Sequence, residues 1–466
     1  MRQADAVLSD GKLIEAVYAA LAKRSPRSKT FGRPGTPAEV VLRLMVLKHA
    51  RNWSYDILER EVRANLVYRE FTRVGASKSK TPGTGPRNAR TACPDVRPFG
   101  VPDAKTLGRL GRALGPEVVE KVHQRVVAIA QEKKIVPGKQ LRVDTTVVET
   151  NIHHPTDSSL LGDGVRVLTR TMKKITEVAG QVGTKLRNRM RSVQHRLIEI
   201  GRASRSQGEA GKEKLQKSYQ KLLAATGRVI KQAQRFSAEV ASGVKRSADV
   251  LEQAALEGHK KYIDTIVPRV QQVIRQTKAR VLEGTNHFAG KLLSLFEPTT
   301  EIIRKGKAGK PTEFGKMVKI QEAENQIITS YEVYSQRPSD SDLLIPAIEA
   351  HQQQLGCTPR LVAGDAGFYS AKNEAAALAM GVEQVAIPNR STKSAERKQH
   401  QKKRWFRKAQ KWRTGSEGRI SVLKRRHGLD RSLYKGDNGM KRWVGLGVIA
   451  DNLINIGRKL AAQNSG

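Results

Sequence analysis

Three carboxylates in this 466-residue chain stand where an acid has no ordinary reason to be. Asp144 lies in the middle of Leu141-Arg142-Val143-Asp144-Thr145-Thr146-Val147-Val148, a β-branched run bounded by turn residues that predicts a strand. An acid among apolar strand neighbours is costly to bury unless a cation accompanies it. Asp365 ends a second predicted strand in Gly364-Asp365-Ala366-Gly367-Phe368, where the flanking glycines permit close backbone approach. Glu417 opens a predicted helix, and every other charged residue from Lys402 to Arg426 is basic. An acid in such a field is most simply explained as a metal ligand held against a phosphate. Two strand acids and a helix acid can grip two Mg2+ ions roughly 3.5–4 Å apart, one activating a water or 3′-hydroxyl and the other stabilising the leaving oxygen. That is phosphoryl-transfer chemistry. Lys424 follows Glu417 by seven residues, two helical turns or roughly 10 Å along one face, which suits a DNA strand passing the metals.

The charge of the chain supplies a partner for that chemistry. Lys and Arg number 85 against 44 Asp and Glu, a formal net charge of +41. Such an excess repels itself unless a polyanion offsets it, and nucleic acid is the usual one. The basic residues are spread over several segments rather than one amphipathic helix, which disfavours a membrane-surface binder. No apolar run approaches the ~18–20 residues needed to span a bilayer, and the start, Met1-Arg2-Gln3-Ala4-Asp5, lacks a signal-peptide core. Cys93 and Cys357 are far apart and without a CxxC partner, so a disulfide framework or a cysteine-built zinc site is excluded and a reducing cytoplasm fits. His153-His154 has no third ligand at zinc-like spacing and is expected in a loop or against DNA. Arg404-Trp405-Phe406-Arg407 either stacks on an unpaired base or packs.

The elements that must position these residues fall into three blocks. Residues 36 to 73 predict two short helices, the first opened by a capping box at Thr36-Pro37-Ala38-Glu39 and carrying Val40, Val41, Leu44, Val46 and Leu47, the second capped by Ser54. Such a pair suits a helix-turn-helix DNA reader or an ordinary helical hairpin. A flexible basic loop is expected at about 75–100, then helix from Ala104 to about Lys133 with a break at Gly115-Pro116. Between about 165 and 285 long helices are expected. Leu168 to Ile200 repeat by threes and fours as one coiled-coil seam, and further helices carry Leu215 to Val240 and Tyr262 to Val273 as an antiparallel hairpin with a basic outer face. After Pro311 come a strand hairpin, a helix from Asp342 to Leu355, a strand from Arg360 to Gly364, a helix from Ala371 to Met380 and a strand from Gln384 to Ile387, with helix again from about 413. With the strand at Asp144, that order describes a mixed sheet of the ribonuclease-H kind.

Arg413, three residues, Glu417, six residues and Lys424 reproduce the third motif of the DDE transposases of bacterial insertion sequences, and the chain resembles that cut-and-paste family. Asp144 in Val-Asp-Thr-Thr and Asp365 in Gly-Asp-Ala-Gly-Phe match the family's first and second acids. Gly32-Arg33-Pro34 through Phe71, and Val101-Pro102-Asp103 to Leu110, resemble the N-terminal domain of part of it. Where the motif often has a tyrosine three residues before the arginine, this chain has Gln410, with Trp412 beside Arg413. The resemblance implies a multidomain α/β protein: an N-terminal helical DNA-binding region (1–133), a ribonuclease-H-like catalytic domain (134–164 with 301–466) and a long basic helical, coiled-coil-like insertion (165–300). It implies Asp144, Asp365 and Glu417 as catalytic metal ligands, Arg413 and Lys424 as DNA contacts, and Mg2+, replaceable by Mn2+, as cofactor. The expected reaction is cleavage at the terminal inverted repeats of a mobile element and strand transfer into target DNA, by a homodimer in the cytoplasm, at the nucleoid. A non-catalytic DNA-binding descendant of a transposase, or a structure-selective nuclease of the same fold, is the alternative.

Overall fold

A computed structural model describes residues 2–24, 35–75, 100–206, 208–285, 287–304 and 311–464. Gly32-Arg33-Pro34, Cys93 and all but the ends of the expected basic loop lie outside the described residues. The chain divides into two compact units, 1–151 together with 302–466, and 152–301.

Among the described residues the first unit opens with seven helices: α1 (Arg2–Leu8), α2 (Gly11–Arg24), α3 (Ala38–Ala50), α4 (Tyr55–Ala64), α5 (Leu66–Thr72), α6 (Ala104–Ala113) and α7 (Pro116–Glu132). The apolar stripe expected on α3 is buried, but so are Arg43, Lys48 and His49, which makes α3 a core helix covered on all sides. It packs against α2, α5 and the last helix of the chain. The expected capping box is absent. Pro37 occupies the cap with no side-chain bond, because Glu39 instead accepts from the buried Arg43 Nε at 2.9 Å. Ser54 caps α4 as expected, its hydroxyl accepting from the Ile57 amide. The two expected helices are three, since Asn65 accepts from the Val67 and Tyr68 amides and starts α5.

The sheet follows. Its strands are β1 (Gln140–Glu149), β2 (Glu301–Ile303), β3 (Glu313–Glu322), β4 (Ile328–Val333), β5 (Leu361–Ala363) and β6 (Gln384–Ala386). β1 and β3 run antiparallel, as do β3 and β4, whereas β5 joins the other edge of β1 in parallel and β6 extends it. The order β4-β3-β1-β5-β6, with short β2 also beside β3, is a mixed sheet of the ribonuclease-H kind. Helix α12 (Leu344–Leu355) buries Leu344, Ala347 and Ile348 with Leu141, Val143 and Val147 of β1 on one face. The other face meets the C-terminal helices through Val148, Ile320, Leu423 and Val444. Beyond α13 (Ala371–Ala379) the chain is already helical at 395, in α14 (Ala395–Lys402) and α15 (Arg404–Arg413), which the lysine- and arginine-rich sequence conceals. Two more helices, α16 (Gly415–His427) and α17 (Gly436–Asn464), complete the unit.

The second unit is a bundle of four helices, α8 (Asp157–Ala179), α9 (Met190–Ala203), α10 (Glu209–Ala241) and α11 (Val250–Val281), rather than a hairpin. The single seam expected from Leu168 to Ile200 is broken. Gly180 and Gly183 take φ +71° and +70°, and Val182, on the expected seam, is exposed. Apolar spacing alone could not register a break whose two halves keep nearly the same period.

Candidate active site

Pairing between β1 and β5 brings two of the three acids side by side. Leu141 opposes Val362 and Arg142 opposes Ala363, so carrying the parallel register on by two residues sets Asp144 against Asp365. Asp365 leaves the end of β5 as the cap of a short 3-10 turn, its Oδ1 accepting from the Gly367 amide at 2.9 Å. Asp144 accepts from the Thr145 amide at 2.8 Å and from the Ser416 hydroxyl at 2.9 Å. Burial raises its carboxyl above the ordinary range, these two donors draw it back, and the charge of Asp365 adds to the rise.

The third acid arrives on α16. Glu417 is two-thirds exposed, and its Oε1 accepts from Arg413 Nη2 at 3.0 Å. The other arm of that guanidinium, Nη1, stands 3.8 Å from Asp144 Oδ2, so Arg413 lies between a strand acid and the helix acid. Glu417, Ile420, Ser421 and Lys424 recur every three or four residues along α16 and line one wall of an open groove of about 660 Å³, with Thr146 of β1 beneath. Lys424 is therefore on the same face as Glu417, as the spacing predicts, and its Nζ lies 3.7 Å from Glu313 Oε1 at the start of β3.

Among the described residues, no group of three or more His, Cys, Asp or Glu is arranged to hold a metal ion. The donor set of the strand pair nevertheless fits a hard divalent cation. It offers two adjacent carboxylates, at least one of them desolvated and pushed toward protonation by its neighbour, a charge conflict a cation would relieve.

The supporting contacts of four residues escaped the sequence reading. Arg142, two positions before Asp144 on the same face of β1, pairs in two-fold fashion with Glu322 opposite it on β3. It also donates to the Trp412 carbonyl and lies 4.9 Å from that ring centre, beneath the junction of α15 and α16. Gly415 leaves room for it, since a Cβ there would come 2.5 Å from Arg142 Nη1. Ser416 ties the same junction to Asp144. Gln410, at the position where a tyrosine was expected, donates to the carbonyls of Gly364 and Ala386 and so fixes α15 to the strand end that carries Asp365. Cross-strand identity at Arg142 and Glu322 would have been the one available signal. Of the remaining candidates, Phe406 is buried and Trp405 packs beside it, so that pair belongs to the core. His153 faces Asp163 at 3.6 Å within the helical unit.

Two family comparisons complete the description. Residues 379–457 match the transposase DDE domain, a span that holds Arg413, Glu417 and Lys424 and begins after Asp365. Residues 1–84 match the transposase domain DUF772. No curated protein and no solved structure matches the chain.

Proposed function

We propose that the chain, whose residues 1–84 and 379–457 match two transposase domains, acts as a DDE transposase of an insertion sequence, cleaving DNA at the ends of its mobile element and joining those ends to a target. The observation that carries the reading is the proximity of Asp365, just beyond the end of β5, to Asp144 on the parallel neighbour β1, beside a helix that presents Glu417 and Lys424 to one open groove. In this proposal Asp144, Asp365 and Glu417 hold Mg2+, which supplies an activated oxygen nucleophile and charge stabilisation at the scissile phosphate. The chain's own residues do the rest. Thr145 and Ser416 orient the Asp144 carboxylate. Arg413 sets Glu417 relative to Asp144, and its charge offsets theirs until a cation takes over that role. Lys424 and the neighbouring Arg425 hold a phosphate along the groove, in register with the acids.

The N-terminal helices, the domain limits read from the sequence and a homodimeric assembly that handles two element ends together belong to the same proposal. No helix among the described residues is long and apolar enough to cross a membrane. The deciding experiment uses the full chain and a duplex carrying the DNA that flanks its gene. Asp365→Ala should retain binding to the element end and lose Mg2+-dependent cleavage. Cleavage by that variant would overturn the assignment, and flanking DNA without inverted repeats would remove the mobile-element reading itself.

A further inference from the structure

The four-helix unit has one end that is built more firmly than a spacer requires. Two loops meet there, 180–189 between α8 and α9 and 242–249 between α10 and α11. The Glu239 carboxylate accepts from both the amide and the hydroxyl of Thr184. Lys245, 1% exposed, donates to the Val182 carbonyl, stands 3.4 Å from Glu239 Oε2 and lies 4.6 Å from the Phe236 ring centre. Gln232 holds the Lys185 carbonyl. Only glycine fits at 183, where φ is +70° and a Cβ would come 2.8 Å from Glu239. Burying an ion pair is costly, and here it fixes nothing but two loops against each other.

What this end of the unit presents is exposed apolar side chains together with exposed cations. Val250 and Leu251, at the start of α11, are each 81% exposed, and on the two loops Val182 is 54% and Val244 46% exposed. The same two loops carry exposed Lys185, Arg187 and Arg246, and between Glu177 and Glu199 the chain has no carboxylate. The nearby acids Asp249 and Glu252 are engaged within the tip, Asp249 capping the Leu251 and Glu252 amides and Glu252 accepting from Ser247. Apolar side chains flanked by cations suit a DNA groove, with the cations on the two phosphate backbones and the aliphatic groups against base edges. A second copy of the chain, at +41, would bring like charge to the same cations.

We propose that this tip of the helical unit is a duplex-DNA contact, with Lys185, Arg187 and Arg246 on phosphates and Val250 and Leu251 wedged into the groove. The proposal rests on the reading that the chain acts on DNA, and the test separates the two. Full-length protein, the triple variant Lys185→Gln/Arg187→Gln/Arg246→Gln and the double variant Val250→Ser/Leu251→Ser are titrated onto a short duplex labelled at both ends. The triple variant should bind several-fold more weakly, with a log–log salt slope shallower by about two to three, because each phosphate contact contributes close to one counterion. The double variant should keep the salt slope and lose the bend reported by end-to-end energy transfer. Parent-like binding and bending in both variants would overturn the tip contact while leaving the DNA reading intact. Failure of the parent to bind any duplex would overturn both. A double variant whose only change is loss of self-association in sedimentation would assign the tip to a second copy and overturn the proposal.

Discussion

Two acid-bearing regions lie on one face of the same sheet, two residues apart along β1, and they are treated in opposite ways. Glu322 is buried and meets Arg142 through two hydrogen bonds, and Asp451 of α17 is likewise gripped by Arg419 at 2.6 and 2.9 Å. Asp144 is less deeply placed, and its nearest guanidinium, Arg413, stands 3.8 Å away and is shared with Glu417. Burial raises both the Asp144 and the Glu322 carboxyls. At Glu322 the Arg142 guanidinium opposes that rise at hydrogen-bonding range and the charge of Asp451 adds to it; at Asp144 the opposing donors are the neutral Ser416 hydroxyl and Thr145 amide, and the charge of Asp365 adds to the rise. The fold thus gives the acids that hold helices to the sheet a guanidinium at hydrogen-bonding range, and gives Asp144, midway along β1 and beyond the end of β5, neutral donors instead. In the proposed function a cation would supply the charge that Asp144 lacks.

The sharpest way to break this comparison is Asp144→Asn, for which the largest effect is expected. Cleavage should disappear, yet in metal-free buffer at neutral pH the variant should melt higher than the parent. The sign follows from the raised carboxyl: ionising it costs the folded state, a cost fully present at neutral pH and absent once the pH falls below the ordinary carboxylate value of 3.8. Mg2+ should then raise the melting temperature of the parent and not of the variant. A metal-free variant that melts lower at pH 7 would place Asp144 among the structural acids.

Arg142→Met tests the opposite member. Leaving Glu322 buried and alone should cost about 3–5 kcal/mol in urea unfolding, and Arg142→Met/Glu322→Met should recover most of it. Equal instability of the single and double variants would mean that the pair is not the source of the difference.

A smaller effect is expected along the groove. Lys424→Ala should slow cleavage at saturating protein roughly tenfold, the worth of one charge-assisted phosphate contact, while Lys402→Ala should mainly reduce binding. Matching losses of affinity in both variants would make Lys424 an ordinary surface lysine.

The smallest effect at working pH concerns His123, buried behind β4, where desolvation lowers the imidazole to about 4. Since the unfolded chain takes up this proton near 6.5, stability should fall as the pH drops from 6.5 towards 4 and level off below. His123→Gln should flatten that part of the melting-temperature profile, and an unchanged profile would assign the acid sensitivity elsewhere.

Much of this was readable before any coordinates. Strands β1 and β5, the β3–β4 hairpin and helices α6, α7, α12 and α13 follow from turn residues and apolar period, because their local preferences agree with the fold. The spacing of Arg413, Glu417 and Lys424 holds because it is a property of helix geometry at the α15–α16 junction and along α16, whatever the helices pack against. Local pattern fails where packing overrides it. The capping box at Thr36 gives way to the demand of buried Arg43, and the Leu168–Ile200 seam parts at Gly180 because two helices can share a period without being one helix.

The sequence by itself therefore determined most of the sheet and the helices around it, the charge that calls for a polyanion, and the residue types of the acidic motif. Only the tertiary structure decided which acids meet and which are neutralised. Asp144 and Asp365 become neighbours through a parallel register, Arg142 is spent on Glu322 across an antiparallel one, and Ser416 and Gln410 fasten the helix junction to the strand ends. Periodicity reports which face of an element is apolar. It carries no information about pairing between segments far apart in the chain, and that pairing sets the distances on which electrostatics depends.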